Sequence, residues 1–329
     1  MDAAHGGGGR ASRVLLESVI APALGTEIIE DQARLSLDLA GGRLAFTTDS
    51  YVVTPLFFPG GDIGALAVNG TVNDLAVGGA RPVALSLGLV LEEGLEVDLL
   101  RRVLESAGRA ARAAGVAIVT GDTKVVPRGA ADRMFVNTSG VGVIPAGVDV
   151  SARNLRPGDA LLVNGPLGDH GAAILVARGE LALDAPIPSD TCALNGLTEA
   201  LLAEVEVHAM RDLTRGGLAA ALDELARASG VGVVLEEAAI PARPAVRGFC
   251  EVLGLDPVHL ANEGRLVVAV PSAQADRALA ILHGHPAGQG AAIIGHVRHE
   301  HPGVVAVTTG FGGERILDVL VGAPLPRIC

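Results

Sequence analysis

The sequence predicts a mixed α+β protein of two domains. Its 329 residues exceed the size of one ordinary core and suit two domains of common size. Hydrophobic residues make up 49% of the chain but aromatic residues only 2%, so the core must be built from Val, Leu, Ile and Ala. Strand and helix patterns occur in both halves without the regular spacing of a βαβ array.

The first half begins with a glycine-rich stretch, which predicts a flexible segment over residues 1–34. Two apolar runs, at residues 35–39 and 43–48, flank a Gly-Gly pair and predict a hairpin. The rest of this half is predicted to contain a helix at residues 62–77 that begins with Asp62 as its cap, a second helix at residues 96–114, and strands at residues 83–91, 116–120 and 134–144.

A composition shift near residue 150 marks a domain boundary, because a loop rich in Asn, Pro and Gly follows at residues 154–159. We therefore expect an N-terminal domain at residues 35–150, a C-terminal α+β domain at residues 151–310, and a mobile tail at residues 311–329. The second half is predicted to contain helices at residues 168–178, 190–203, 216–228, 243–253 and 273–283, and strands at residues 160–163, 205–210, 231–235, 265–270, 291–297 and 303–309.

Charge and cysteine content limit the function classes. The net charge of −12 and the absence of a basic run argue against nucleic acid or an anionic membrane surface as a partner. No apolar run approaches the ~20 residues of a spanning helix, and residues 1–25 lack a leader pattern. The three cysteines, Cys192, Cys250 and Cys329, are widely spaced and suggest no disulfide framework, so we expect the reducing cytoplasm.

Acidic residues are the candidates for holding a nucleotide. A phosphate-binding loop of the Gly-Lys-Ser/Thr kind is absent, because the sole lysine, Lys124, follows Thr123. Carboxylates that bind Mg²⁺ between protein and phosphates are the alternative device. Asp49, Asp122 and Asp212 each follow a predicted strand, where ligand sites of α/β sheets gather. Taken singly, each also suits a turn or a helix cap, so the prediction depends on the joint pattern.

A polar stripe interrupts the apolar helix predicted at residues 62–77. Asn69 and Asn73 are four residues apart and share one helix face. Asp74 adds a charge that is costly to bury unless it is paired or bound to metal. We therefore assign Asp74 to the metal as a fourth ligand, and Asn69, Asn73 and Thr123 to the nucleotide.

Three further residues are candidates for the chemistry itself. Lys124, the only Lys among 25 basic side chains, could neutralise charge on a phosphoryl group in transfer. Glu263 precedes a predicted buried strand and is either a general base or a surface turn carboxylate. Cys329, the last residue of the sequence, suits a carrier thiol on a tail that could span about 60 Å when stretched.

Six motifs together resemble a known family. The segments PGGDIG, NDLAVGGA, GDTKVV, MRDLTRGG and NEGRL occur in this order, and the sequence closes with PRIC. They resemble the HypE carbamoyl dehydratases, which mature nickel–iron hydrogenases and belong to the ATP-binding superfamily of aminoimidazole ribonucleotide synthetase. The inner motifs are shared across the superfamily, whereas the terminal PRIC is specific to the family. One departure is Leu213, where the family pattern has proline.

The resemblance implies a fold, an activity and partners. Two protomers of two α+β domains would join their N-terminal sheets into a barrel-like homodimer that binds Mg·ATP through the aspartates. A HypF-like carbamoyltransferase would load a carboxamide onto Cys329. The carboxamide oxygen would then be phosphorylated and eliminated, leaving a thiocyanate whose cyanide passes to iron on a HypC/HypD-like scaffold. Lys124 would neutralise charge near the phosphoryl group and Glu263 would act as the base, or the two residues would exchange these roles.

Other functions remain open at this stage. A selenophosphate synthetase would carry Cys or selenocysteine in its N-terminal glycine region, and residues 1–20 contain none. A thiamine monophosphate kinase or the purine enzyme would have no use for a terminal cysteine. A non-enzymatic scaffold that docks partners through its tail would turn over no ATP.

Overall fold

The computed structural model describes residues 1–2, 5, 10–25, 33, 35–179 and 187–320. The first half contains helices α1 (Arg10–Leu15), α2 (Ala21–Leu24), α3 (Ile63–Val77) and α4 (Val97–Ala113), with a π-helical turn Leu16–Ile20 between the first two. Its strands are β1 (Arg43–Tyr51), β2 (Phe57–Phe58), β3 (Gly61–Asp62), β4 (Arg81–Glu92), β5 (Ala117–Val126) and β6 (Met134–Ile144).

The second half begins its regular structure at residue 159. Its helices are α5 (Asp169–Ala177), α6 (Asn195–Glu204), α7 (Gly217–Ser229), α8 (Pro244–Leu253) and α9 (Ala275–Gly284). Its strands are β7 (Asp159–Val163), β8 (Ala209–Asp212), β9 (Gly232–Glu236), β10 (Leu266–Pro271), β11 (Ala292–Arg298), β12 (Val305–Thr308) and β13 (Glu314–Ile316).

A four-stranded sheet in the order β1-β6-β4-β5 forms the centre of the first domain. Helix α3 packs on β1, β6 and β4, and α4 packs on α3 and β5. On the opposite face the side chains of β1 are open to solvent, since Leu44 is 55% and Phe46 69% exposed. The sheet is open within the described part of the chain, where no closed barrel forms.

A seven-stranded sheet in the order β13-β12-β9-β11-β7-β10-β8 forms the second domain. Helix α7 covers one face, and α6 with α9 covers the other, so that two separate apolar clusters lie on the two sides. Burial on both faces explains why β7 and β10 read as continuous apolar runs without alternation.

The structure corrects three predictions of organisation. Residues 35–42 form no strand, so the predicted hairpin is wrong; β1 instead pairs with the distant β6 over nine residues. Residues 10–24 of the expected flexible segment are helical, and Leu15, Val19 and Ile20 among them are buried in the core shared with α4. In the expected tail, Glu314–Ile316 pair with β12.

Candidate active site

Helix α3 carries Asp74, the first acidic side chain of the site. Asp62 caps its N-terminus by accepting hydrogen bonds from the amides of Gly64 (2.8 Å) and Ala65 (3.1 Å), as the sequence predicts. Three turns later Asp74 faces β1, where the Thr47 hydroxyl donates to its Oδ2 at 2.8 Å. Burial raises the pKa of Asp74, and the bond from Thr47 works against that rise.

Four carboxylates from both domains face one another. Asp49 lies on β1, Asp74 on α3, Asp212 at the end of β8, and Glu263 just before β10. Burial, and next the charge of Asp74, raise the pKa of Asp212 to about 7. Burial also raises the pKa of Glu263 well above its usual range, and the charges of Asp190, Asp212, Asp49 and Asp74 add to the rise. This concentration of negative charge suits a bound cation.

Glu263 is the most enclosed member of this carboxylate cluster. It is 3% exposed, and its Oε1 atom has no hydrogen-bond partner. A surface turn, the alternative interpretation of this residue, is therefore wrong. A buried carboxyl group with a raised pKa and an unused oxygen is suited to exchange a proton with a substrate.

The carboxylate cluster fits Mg²⁺ that arrives with a nucleotide. Within the described residues no group of three acidic, His or Cys side chains converges tightly enough to hold a metal by itself. Mg²⁺ usually keeps several waters and is bound through one or two carboxylates together with substrate phosphates. Asp74 and Asp212 suit that role, because both are half-buried with a raised pKa, so that each gains from a neutralising cation.

Asp122 and Lys124 lie on the other side of the same sheet. They pair with Gly88 and Val90 of β4, which alternate with the buried Leu87 and Leu89 and therefore face away from α3. The two side chains form an exposed ion pair of 2.8 Å. The hydrogen bond from Lys124 lowers the pKa of Asp122, and burial opposes that change only in part.

Asp122 and Lys124 also lie at the opposite edge of the sheet from Asp49. Asp49 pairs with Thr138 of β6, which is fully buried beneath α3, and β1 and β5 are the two edges of the sheet. Three strand spacings amount to roughly 14 Å. One chain therefore gathers Asp49, Asp74 and Asp212, and it does not bring Asp122, Thr123 or Lys124 to them.

The two asparagines of α3 form hydrogen bonds to other parts of the protein. Asn73 donates to the carbonyls of Cys192 (3.0 Å) and Glu263 (3.3 Å), and its oxygen accepts from the Leu194 amide (2.8 Å). Asn69 donates to the Thr191 hydroxyl at 3.2 Å. Both N–H groups of the Asn73 side chain are therefore used in hydrogen bonds that join the two domains.

The site contains buried charged residues that the sequence analysis missed. Asp169, Asp190 and Arg265 lie behind Glu263, and the side chains of both aspartates are 0% exposed. A usable signal was Arg265 at the start of an apolar strand, where a charge requires a partner. Asp190 gave no such signal, because it was interpreted as the start of a helix that in fact begins at Asn195. Cys329 lies outside the described residues.

Family profiles match both domains. The N-terminal domain of AIR synthase related protein matches residues 30–144, and its C-terminal domain matches residues 156–308. A carbamoyl dehydratase HypE of Rhodobacter capsulatus is 60% identical over 99% of this chain and 97% of its own length. The HypE of Escherichia coli K12 is 52% identical over 99% and 98%. The chain belongs to the HypE carbamoyl dehydratase family.

Solved structures of this family share the fold. A HypE in complex with ATP has a TM-score of 0.95 and 49% identity, covering 100% of this chain and 99% of that one. A HypE–HypF complex has a TM-score of 0.82 and 46% identity, covering 93% and 99%. A thiamine-monophosphate kinase of Stenotrophomonas maltophilia, at 23% identity and a TM-score of 0.63 over 82% and 86%, shares the fold alone.

Proposed function

We propose that this chain is an ATP-dependent carbamoyl dehydratase that converts a carboxamide on the Cys329 thiol into a thiocyanate, which supplies cyanide for the iron of a nickel–iron hydrogenase. The observation that carries the proposal is the buried, hydrogen-bond-free oxygen of Glu263 beside three aspartates, in a member of the HypE family. The relative solved with ATP supports ATP as the co-substrate.

The chemistry begins with the poor leaving group of an amide. Transfer of the γ-phosphoryl group to the carboxamide oxygen, with loss of one N–H proton, gives an S-linked imidate phosphate and ADP. Loss of the second N–H proton and cleavage of the C–O bond then release phosphate and leave S–C≡N. Buried Glu263 suits the base that takes a nitrogen proton, since its pKa is raised. Exposed Lys124 suits the charge neutraliser.

Asp49, Asp74 and Asp212 would hold Mg²⁺ against the phosphates of ATP. When bound, Mg²⁺ supplies positive charge that screens the β- and γ-phosphates as negative charge shifts between them. The three carboxylates orient the nucleotide toward Glu263, at the junction of the two domains. The fourth predicted metal ligand, Asp122, would come from a second copy of the chain.

A second copy of the chain provides Asp122, Thr123 and Lys124. Both edges of the four-stranded sheet lack a partner within the described residues, and the face that carries Lys124 also exposes Phe46. A large exposed apolar side chain on an open sheet favours burial against another chain. A homodimer joined at an open edge of this sheet, where its two faces meet, would carry Asp122 and Lys124 of one copy to the carboxylate cluster of the other.

The partners follow from the chemistry and from the relatives. The HypE–HypF complex supports a HypF-like carbamoyltransferase as the enzyme that loads Cys329. We assign the acceptor of cyanide to a HypC/HypD-like iron scaffold, and the setting to the cytoplasm, where thiols stay reduced. In the described part of the chain no helix has the length and apolar character needed to cross a bilayer.

Mass spectrometry of the tail peptide tests the proposal. Incubation with the carbamoyltransferase, carbamoyl phosphate and ATP should first add about 43 Da to Cys329 and then remove about 18 Da, as ATP-driven dehydration requires. A Cys329→Ser variant should retain ATP binding and lose both mass changes. A carboxamide that persists in the presence of ATP would overturn the proposal.

A further inference from the structure

Both backbone polar groups of Glu263, its N–H and its carbonyl, form hydrogen bonds. Its N–H donates to Asp190 Oδ1 at 3.0 Å. Its carbonyl accepts from Asn73 Nδ2 at 3.3 Å and from the Cys192 amide at 3.4 Å. The backbone of Glu263 therefore has little freedom to shift, although it lies in a loop.

Asp190 is itself fixed from behind. Its side chain is 0% exposed, and its Oδ2 lies 3.5 Å from Nε of Arg265 without a hydrogen bond. Arg265 is locked in turn, because Nε donates to the Pro166 carbonyl (3.0 Å) and Nη1 to the Gly264 carbonyl (3.1 Å). Arg265, Asp190 and the Glu263 peptide therefore form one connected chain of polar contacts.

A buried carboxylate is expensive to retain unless it serves a defined partner. Within the described residues, the Asp190 side chain accepts no hydrogen bond from the backbone of α6 or β10, so neither element depends on it. Its one hydrogen bond to the loop before β10 goes to the peptide that carries the general base. A displacement of a catalytic group by about 1 Å can cost about 100-fold in rate.

We propose that Asp190 is a positioning residue for Glu263: its Oδ1 atom fixes the Glu263 peptide, and Arg265 fixes the carboxylate. This inference rests on the proposed function, since it assumes that Glu263 removes a proton from the carboxamide. It concerns the hydrogen bond, so an isosteric acceptor in the same place should serve nearly as well.

Single-turnover dehydration of the carbamoylated tail tests the inference, with ATP affinity measured in parallel. Asp190→Ala should slow dehydration about 100-fold and leave the KM for ATP within about twofold, because only the base is displaced. Asp190→Asn keeps an oxygen at the same position and should restore the rate to within about fivefold of wild type. Asp223→Ala, which removes a surface partner of Arg227 on α7, is the matched control and should behave as wild type.

The possible outcomes separate this inference from the proposed function. A wild-type protein that leaves the carboxamide intact would refute the proposed function. A competent wild type with an Asp190→Ala variant of equal rate would refute the positioning role alone. So would an Asp190→Asn variant as slow as Asp190→Ala, because the charge would then matter and the hydrogen bond would not. An equal loss of ATP affinity and rate in both variants would reduce Asp190 to a general structural residue.

Discussion

Lys124 stands apart among the basic side chains. The other 24 are arginines, which bind planar anions bidentately, whereas an ammonium acts as a compact point charge. In the structure Lys124 forms an ion pair with its neighbour Asp122, and the pair is exposed, with 62% of the lysine side chain open to solvent. Such a pair contributes little to stability, which supports the role proposed for Lys124 in the reaction.

Replacing Lys124 should therefore separate activity from stability. We expect Lys124→Ala to lower turnover at least about 100-fold, because the moving phosphoryl charge loses its partner. The free energy of unfolding should change by less than about 0.5 kcal/mol, as at other exposed sites. Turnover assays and urea denaturation measure the two effects. Arg101→Ala, which breaks a similar exposed pair with Asp98, should change neither, and full activity of Lys124→Ala would contradict the assigned role.

Asp169 makes the stability of the fold depend on pH. Burial raises its pKa to about 6, although Arg243 Nε lies 3.1 Å away and opposes the rise. The folded state thus holds a proton between about pH 4 and pH 6 that the unfolded state has released, so the free energy of unfolding falls as the pH rises through this window.

Asp169→Asn should remove this dependence. Relative to the variant, the wild type should lose up to about 3 kcal/mol of unfolding free energy between pH 4 and pH 7, from the shift of about two pKa units. Urea denaturation of both proteins at several pH values measures the difference. A constant difference would show that Asp169 stays ionised throughout that range in the fold.

Some site residues could be predicted from sequence and others could not. Asp74 was predictable because one charge interrupts an otherwise apolar helix, and its interruption requires an explanation. The contacts of Asp190 and Asn73 were not, since both side chains form hydrogen bonds to the backbone of Glu263, at least 70 positions away. Contacts of that range leave no local pattern.

At the scale of elements, helices were predicted better than strand ends. The spacing of apolar residues and the Asp62 cap predicted α3 to within a residue. Strands β1 and β5 run through Asp49 and Asp122, which were expected to follow them. Backbone pairing with β6 and β4 extends both strands past their apolar residues, and such pairing is decided by distant neighbours.

The cap of α3 should have a measurable stability. Asp62→Ala removes two hydrogen bonds to helix amides and should cost about 1–2 kcal/mol of unfolding free energy. The same change at Glu96, the N-cap of α4, should have almost no effect, because that side chain makes no cap hydrogen bond. Denaturation followed by far-ultraviolet circular dichroism compares them, and equal losses would contradict the cap argument.

At the scale of the molecule, one chain keeps apart the two groups of residues that the proposed reaction requires. The carboxylate cluster lies on the face of the four-stranded sheet under α3, and the Asp122–Lys124 pair lies on the other face at the far edge. The two groups lie on opposite faces and near opposite edges of the sheet, so rotation of side chains cannot bring them together. If both groups serve one reaction, they meet only when two chains associate, and a two-fold axis then produces two equal sites.

Mixing two inactive variants tests this arrangement. Glu263→Gln removes the base and Lys124→Ala removes the charge neutraliser, so each homodimer should be inactive. In a mixed dimer, one site combines both substitutions and the other combines neither. Random pairing yields half mixed dimers with one intact site each, so the mixture should recover about one quarter of wild-type activity. Two affinity tags confirm that mixed dimers form, and tagged mixed dimers without activity would show that Lys124 and Glu263 act within one chain or not together at all.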